Sequence, residues 1–235
     1  MKNEIVWNKL AEEYDSLYAA QTDWRLGYSA VKELLEGVAG KKILDYGCGP
    51  GKFSRRLNAL GAIVTGVDSS ENATLKAREK GGNIAYRVVQ NDDISFIEKE
   101  SLDAAVANFV FCTMKTDEQI INISRQIYDK LKPNGYFVIC DPHPDALGRE
   151  YVSMKREKPE KIEHGAPVKV QLIGMTAQFY DYWRPTKEYI RILSDAGFKV
   201  DEIREPTIAD CPDEKFWKDE RTHPPHIIIR AKKVN

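Results

Sequence analysis

The sequence predicts a doubly wound α/β fold, a parallel sheet with helices on both faces. Three observations predict it. Short apolar runs of strand length alternate with helix-length periodic segments, at the spacing of βαβ units. The first run, Ile43 to Tyr46, enters a glycine-dense turn, Gly47-Cys48-Gly49-Pro50-Gly51, followed by a helix with Phe53, Leu57 and Leu60 on one face. Seven runs of strand character can be counted.

The remaining runs follow in order. Ala62 to Val67 ends in Asp68, and Ser69 or Ser70 then caps a helix. Ile84 to Gln90 ends in Asn91-Asp92-Asp93-Ile94, and Leu102 to Phe109 is opened by Asp103. A helix from about Asp117 to Leu131 is stopped by Lys132-Pro133-Asn134-Gly135, before the run Tyr136 to Cys140. Residues 145–180 then break the pattern. They carry mixed charge and aromatics without a strong strand, and are too long for a plain connection. A helix from Thr186 to Ala196 leads into the runs Phe198 to Ile203 and His226 to Arg230, with a loop from Pro206 to Pro225 between them.

Residues 1–40 read as two helices. Trp7, Leu10, Ala11, Tyr14 and Leu17-Tyr18 recur at helical steps, and a second helix runs from about Trp24 to Leu35. Two readings fit: a helix pair packed on the sheet edge, or a lid whose aromatics, Tyr14, Tyr18, Trp24 and Tyr28 among them, cover a ligand. No linker divides the 235 residues. The expectation is one domain: a helical lid over 1–40 and a core over 41–235, with a substrate-side insertion at about 145–183.

Composition excludes several classes. A net charge of −1 and a pI near 6.5 leave no global electrostatic footprint for nucleic acid or an anionic membrane. No run approaches the ~20 apolar residues of a membrane span, and no signal peptide is visible. Cys48, Cys112, Cys140 and Cys211 show no metal-type spacing. The expectation is a cytoplasmic chain, monomer or homodimer, without a metal.

The glycine turn carries the chemistry. Glycines at 47, 49 and 51 remove every Cβ from one side of the turn, so backbone N–H groups and a ligand can approach closely there. Asp68 stands 19 residues after Gly49, the place of an acid that bonds a ribose diol. A dinucleotide dehydrogenase asks for Gly-x-G-x-x-Gly, whereas here the third glycine comes one residue early.

With these features the chain resembles the class I, Rossmann-like S-adenosylmethionine (SAM)-dependent methyltransferases of small-molecule type. Ile-Leu-Asp-Tyr-Gly-Cys-Gly-Pro-Gly at 43–51 is similar to that family's first motif. Leu102-Asp103-Ala104-Ala105-Val106-Ala107-Asn108, Leu131-Lys132-Pro133-Asn134-Gly135 and Ala196-Gly197-Phe198-Lys199-Val200 match later motifs in order. The resemblance implies seven strands, mostly parallel, with an antiparallel last strand. It implies SAM as cofactor, S-adenosylhomocysteine as product, and a methyl acceptor at O, N or C of a small metabolite. An RNA methyltransferase and a non-catalytic nucleoside-binding protein are the alternatives.

The resemblance also implies a site. Asp45, Gly47, Cys48 and Gly49 of the first motif, with Asp68 and Ser69, fall to the cofactor. Asp92 or Asp93 receives the adenine amine and Ile94 packs on the ring, while Asn108 and Phe109 stand near the methionine part. Tyr14 looks like the family's lid tyrosine, and Arg25 is placed to pair with a carboxylate. His143, just past a strand end, is the first candidate general base, since an unperturbed imidazole titrates near pH 6.5. Tyr180 and His164 follow it. Tyr18, Trp24, Tyr28, His143, Tyr180 and Trp183 are expected to wall the acceptor pocket. His226, opening an apolar strand, reads as structural.

Overall fold

Ile43 and Leu44 are neighbours in β1 (Lys42–Tyr46), yet each joins a different hydrophobic core. Side chains alternate along a strand, so consecutive apolar positions are buried on both faces. In this computed structural model, which describes residues 3–16, 24–208 and 217–234, β1 lies inside the sheet, third of seven strands. It pairs in parallel with β2 (Ile63–Asp68) on one side. β3 (Ala85–Val88) extends that edge. On the other side β4 (Leu102–Asn108) pairs with β1, and β5 (Leu131–Pro142) with β4, all in parallel. Residues 132–135 loop out of the ladder. Leu102 pairs with Leu131 but Ala104 already with Tyr136, and Asn134 takes φ +65° in the gap.

The chain then leaves the sheet and makes β6 (Met154–Arg156), β7 (Pro167–Leu172) and β8 (Gln178–Tyr182). These form a separate three-stranded antiparallel sheet. Residues 145–180 therefore do hold strands, against the sequence expectation. β7 alternates, with Val168 and Val170 buried between partly or fully exposed neighbours. The main sheet closes with β9 (Phe198–Arg204) and β10 (His226–Lys233), the latter antiparallel to both β5 and β9. The order is β3-β2-β1-β4-β5-β10-β9. It reverses between β1 and β4, and ligands of such sheets bind outside the strand carboxyl ends at that point.

Helices cover both faces. α1 (Asn3–Ser16) and α2 (Trp24–Leu34) precede the sheet; α3 (Lys52–Ala59) and α4 (Glu71–Glu79) follow β1 and β2. Tyr28, Val31 and Leu34 of α2 and Phe53 and Leu57 of α3 fill the core that holds Ile43. α5 (Asp117–Lys130) and α6 (Thr186–Asp195) supply Ile120, Ile123, Ile127, Ile192 and Leu193 to the core that holds Leu44. Ser70 caps α4 by accepting from the Ala73 amide at 3.1 Å.

α1 is tied on from two sides. The Asn8 carboxamide oxygen accepts from Ser70 Oγ at 2.7 Å, and Lys52 Nζ donates to the carbonyl of Asp15 at 3.0 Å. Asp15 also pairs with Lys80, and Glu13 accepts from the Thr176 amide in the turn between β7 and β8. Arg184, fully buried after β8, donates to the carbonyls of Met114 at 2.6 Å and Phe111 at 3.1 Å and to Asp117 at 3.1 Å. It pins the end of the insertion to the turn after β4. No helix among the described residues is long and apolar enough to cross a membrane.

Candidate functional site

A cavity of about 560 Å³ opens at the carboxyl ends of β1, β2 and β4. The glycine turn forms its floor, but not in the way the sequence suggests. The amides of Gly47 and Cys48 both donate to the Val67 carbonyl, at 2.8 and 2.9 Å. The Gly49 amide donates to Asp68 Oδ2 at 2.8 Å, and the Gly51 amide to the Cys48 carbonyl at 3.0 Å. These donors are spent on the end of β2 and on the turn itself. The expected free N–H groups are therefore not available, and the glycines provide clearance instead. At Gly47, φ +72°, a Cβ would collide with the Val110 side chain.

Asp68 lines the cavity with both oxygens already accepting, Oδ1 from the Ser70 amide at 2.8 Å. Each carboxylate oxygen keeps a second lone pair for a ligand. Burial raises its carboxyl above the usual range, while the amides of Ser70, Gly49 and Ser69 oppose that. Ser69 lines the wall beside it.

The doubled acid is split by its backbone. Asn91 and Asp92 take φ +51° and +59°, which turns Asp92 into the cavity and Asp93 out of it. Asp92 accepts from Tyr46 Oη and Gln119 Nε2, both at 2.9 Å. Asp93 is exposed and caps the Ser95 amide at 2.8 Å. Ile94 points into the core instead of the cavity.

Asn108, at the end of β4, lines the cavity, and neither atom of its carboxamide has a partner among the described residues. Phe109 follows with φ +58° and also faces in. Tyr28 packs on Phe53 at 4.7 Å and walls the same end. Tyr14 comes from α1, edge-on to Trp7 at 5.8 Å, which in turn meets Phe179 at 5.0 Å. Burial pushes the Tyr14 hydroxyl up to about 12. These three rings reach the cavity from two distant segments.

Other expected residues lie elsewhere. Asp45 is buried behind the turn, accepting from Ser54 Oγ at 2.5 Å, and burial lifts its carboxyl to about 6. Cys48 packs against Ala77 and Tyr86. Tyr180 is exposed because alternation along β8 turns its neighbours Phe179 and Asp181 inward. Trp183 donates its indole N–H to the Pro144 carbonyl at 3.0 Å, away from the cavity. His164 pairs with Asp117 on the outside. Tyr18 and Cys211 lie outside the described residues, as do the side chains of Trp24 and Arg25.

The expected base is displaced too. His143 is buried outside the cavity, its Nε2 at 3.1 Å from Glu205 and its Nδ1 accepting from the Asp145 amide at 3.1 Å. Nδ1 serves the turn after β5, and Nε2 meets Glu205 just past β9. His226 lines the cavity instead, with Nδ1 unpartnered among the described residues. Burial pushes its imidazole down to about 3, so the ring is neutral near pH 7. The site also gains Asp181, Cys112 and Met154, which the sequence does not single out.

A methyltransferase-domain family model matches residues 18–203. The chain is similar to the N-demethylindolmycin N-methyltransferase of Streptomyces griseus, 28% identical, over 94% of this chain and 95% of that one. Its fold matches an S-adenosylmethionine-dependent methyltransferase from Mesorhizobium loti with a TM-score of 0.64 at 22% identity, covering 87% of this chain and 96% of the other. It also matches the 1,6-didemethyltoxoflavin-N1-methyltransferase of Burkholderia thailandensis, solved with its substrate and S-adenosylhomocysteine. That TM-score is 0.63 at 14% identity, over 99% and 88% of the two chains.

Proposed function

Because the chain belongs to the methyltransferase-domain family, we propose that it transfers a methyl group from S-adenosylmethionine to a small-molecule acceptor. The observation that carries this reading is the convergence of Asp68, Asp92 and the unpartnered Asn108 carboxamide on one cavity. Their chemistry fits the cofactor. Asp68 suits a ribose diol, and Asp92, rather than Asp93, suits an exocyclic amine. Asn108 offers a donor and an acceptor to a zwitterionic amino-acid tail. SAM supplies a methyl already activated on a sulfonium.

The protein's share is placement and exclusion of water. At Gly49 nothing lies within 4 Å of where a Cβ would stand, so a ligand can lie close to the backbone, and Tyr14, Trp7 and Phe179 close the cavity over it. Alignment of two reactants can supply several kcal/mol of the barrier without any proton transfer. Two relatives are named as nitrogen methyltransferases, which supports a small metabolite over a nucleic acid. Calorimetry with S-adenosylhomocysteine tests the cofactor half. Binding by the wild type and a loss of at least ~10-fold in Asp68→Ala are expected, the scale of a lost charged hydrogen bond. Equal affinities would remove Asp68 from the site.

A further inference from the structure

Asp181 is a buried carboxylate with an oxygen to spare. It is 2% exposed, sits on β8 and lines the cavity. Its Oδ2 lies 3.5 Å from Arg156 Nε, and its Oδ1 has no hydrogen-bond partner among the described residues. Asp141, 1% exposed, belongs to the same cluster. Its Oδ2 accepts from Tyr189 at 3.0 Å, and its Oδ1 is likewise unpartnered. The Cys112 thiol adjoins both carboxylates, and one S–H can serve only one of them. Buried acceptors are rarely left without a donor, so a ligand that brings one is favoured here.

Charge narrows the donor. Among the described residues, the charged side chains on the cavity wall are Asp68, Asp92, Asp181 and one exposed lysine, Lys115. Asp68 and Asp92 fall to the cofactor in the reading above. Arg156 lies against Asp181, and Arg184, whose hydrogen bonds go to Asp117 and to backbone carbonyls, also bears electrostatically on the Asp141–Asp181 pair. Asp181 shares its face of β8 with Phe179, which carries Trp7 and, through it, Tyr14. Ring faces beside a carboxylate form a setting for a cation.

We infer that the methyl acceptor is a small amine, protonated at rest, whose nitrogen is held by Asp181 beneath Trp7, Tyr14 and Phe179. The ammonium passes one proton to the Asp181 carboxylate, and the freed nitrogen lone pair forms the N–CH3 bond as the S–CH3 bond breaks and S-adenosylhomocysteine leaves. This rests on the reading of the cavity as a SAM site. A carboxylate acceptor would meet Asp181 as a like charge, and a hydroxyl would bring the hydrogen bond without the ion pair.

The test uses the full chain saturated with S-adenosylhomocysteine at pH 7, titrated with benzylammonium chloride, benzyl alcohol and sodium benzoate. Benzylammonium should bind at least ~10-fold more tightly than either of the others, one ion pair's worth of discrimination. Asp181→Asn should abolish that preference with cofactor affinity kept within about twofold, and Asp181→Glu should retain part of it. Equal binding of the three probes, no binding of benzylammonium, or a preference that survives Asp181→Asn overturns the inference. Should Asp181→Asn fail to fold, the wild-type preference decides alone. S-adenosylhomocysteine binding is measured first. Its failure strikes the cofactor reading, whereas a chain that binds it without preferring benzylammonium loses only the amine.

Discussion

At Gly47 one hydrogen atom in place of a side chain leaves room for the Val110 side chain on the cavity wall. Gly47→Ala would place a Cβ against Val110 on backbone at φ +72°, where a non-glycine residue costs ~1–2 kcal/mol. A weakening of S-adenosylhomocysteine binding by at least ~10-fold is the expected calorimetric result, with circular dichroism unchanged. Asp68 was legible in the sequence because its distance from the glycine turn is set locally, by one helix and one strand. Choosing between Asp92 and Asp93 was not, since it depends on two positive φ angles that no pattern of apolar residues encodes. The histidines show the limit most clearly. His143 stands at a strand end in sequence, yet the turn after β5 and Glu205 past β9 use both its nitrogens. His226 looked structural because it opens an apolar run. An antiparallel last strand, however, begins where its parallel neighbours end, and His226 pairs in register with Pro142 at that edge. The Ala196-Gly197-Phe198 junction already implied that direction, so the signal for His226 was present.

At the scale of elements, the inner strands of the main sheet were readable because strands buried on both faces are continuously apolar, and the half-exposed edge strands β3 and β9 were placed by the βα alternation around them. The three strands of the insertion were not. They cover a cavity on one side and meet solvent on the other, so their alternation is short and mixed with charge. What fixes this small sheet is Arg184, whose three partners lie about 70 residues away in sequence, beyond any local pattern. Arg184→Met leaves the buried Met114 carbonyl without its donor, while Asp117 keeps His164 and Arg191 and the Phe111 carbonyl keeps the Met114 amide. A buried acceptor left unsatisfied typically costs about 1–3 kcal/mol. Urea unfolding should show a lower midpoint. Hydrogen exchange should also rise in 154–182 before it rises in β1 and β4, because the pin joins these two bodies.

At the scale of the molecule, buried acids make stability depend on pH in an unusual direction. Burial raises Asp141 to about 7, helped by Asp181 and opposed by Tyr189. Between its ordinary value of 3.8 and about 7, the folded state holds a proton that the unfolded state has released, so this group's contribution falls as pH rises. Asp141→Asn should therefore gain on wild type, by on the order of 3 kcal/mol at pH 8, with the gain shrinking toward zero at pH 4. Thermal unfolding across that range measures it. A constant difference would assign the change to packing. The last consequence concerns α1. Through Asn8 it holds α4, beside Asp68, and through Glu13 it holds the turn that leads into Phe179 and Asp181. One helix therefore closes two compartments at once. Whichever ligand arrives first packs against that helix and steadies it, and the second binds to a surface already held. The two occupancies become thermodynamically linked. Benzylammonium should bind at least ~3-fold more tightly with S-adenosylhomocysteine present than without it, and Asn8→Ala should reduce that ratio toward one.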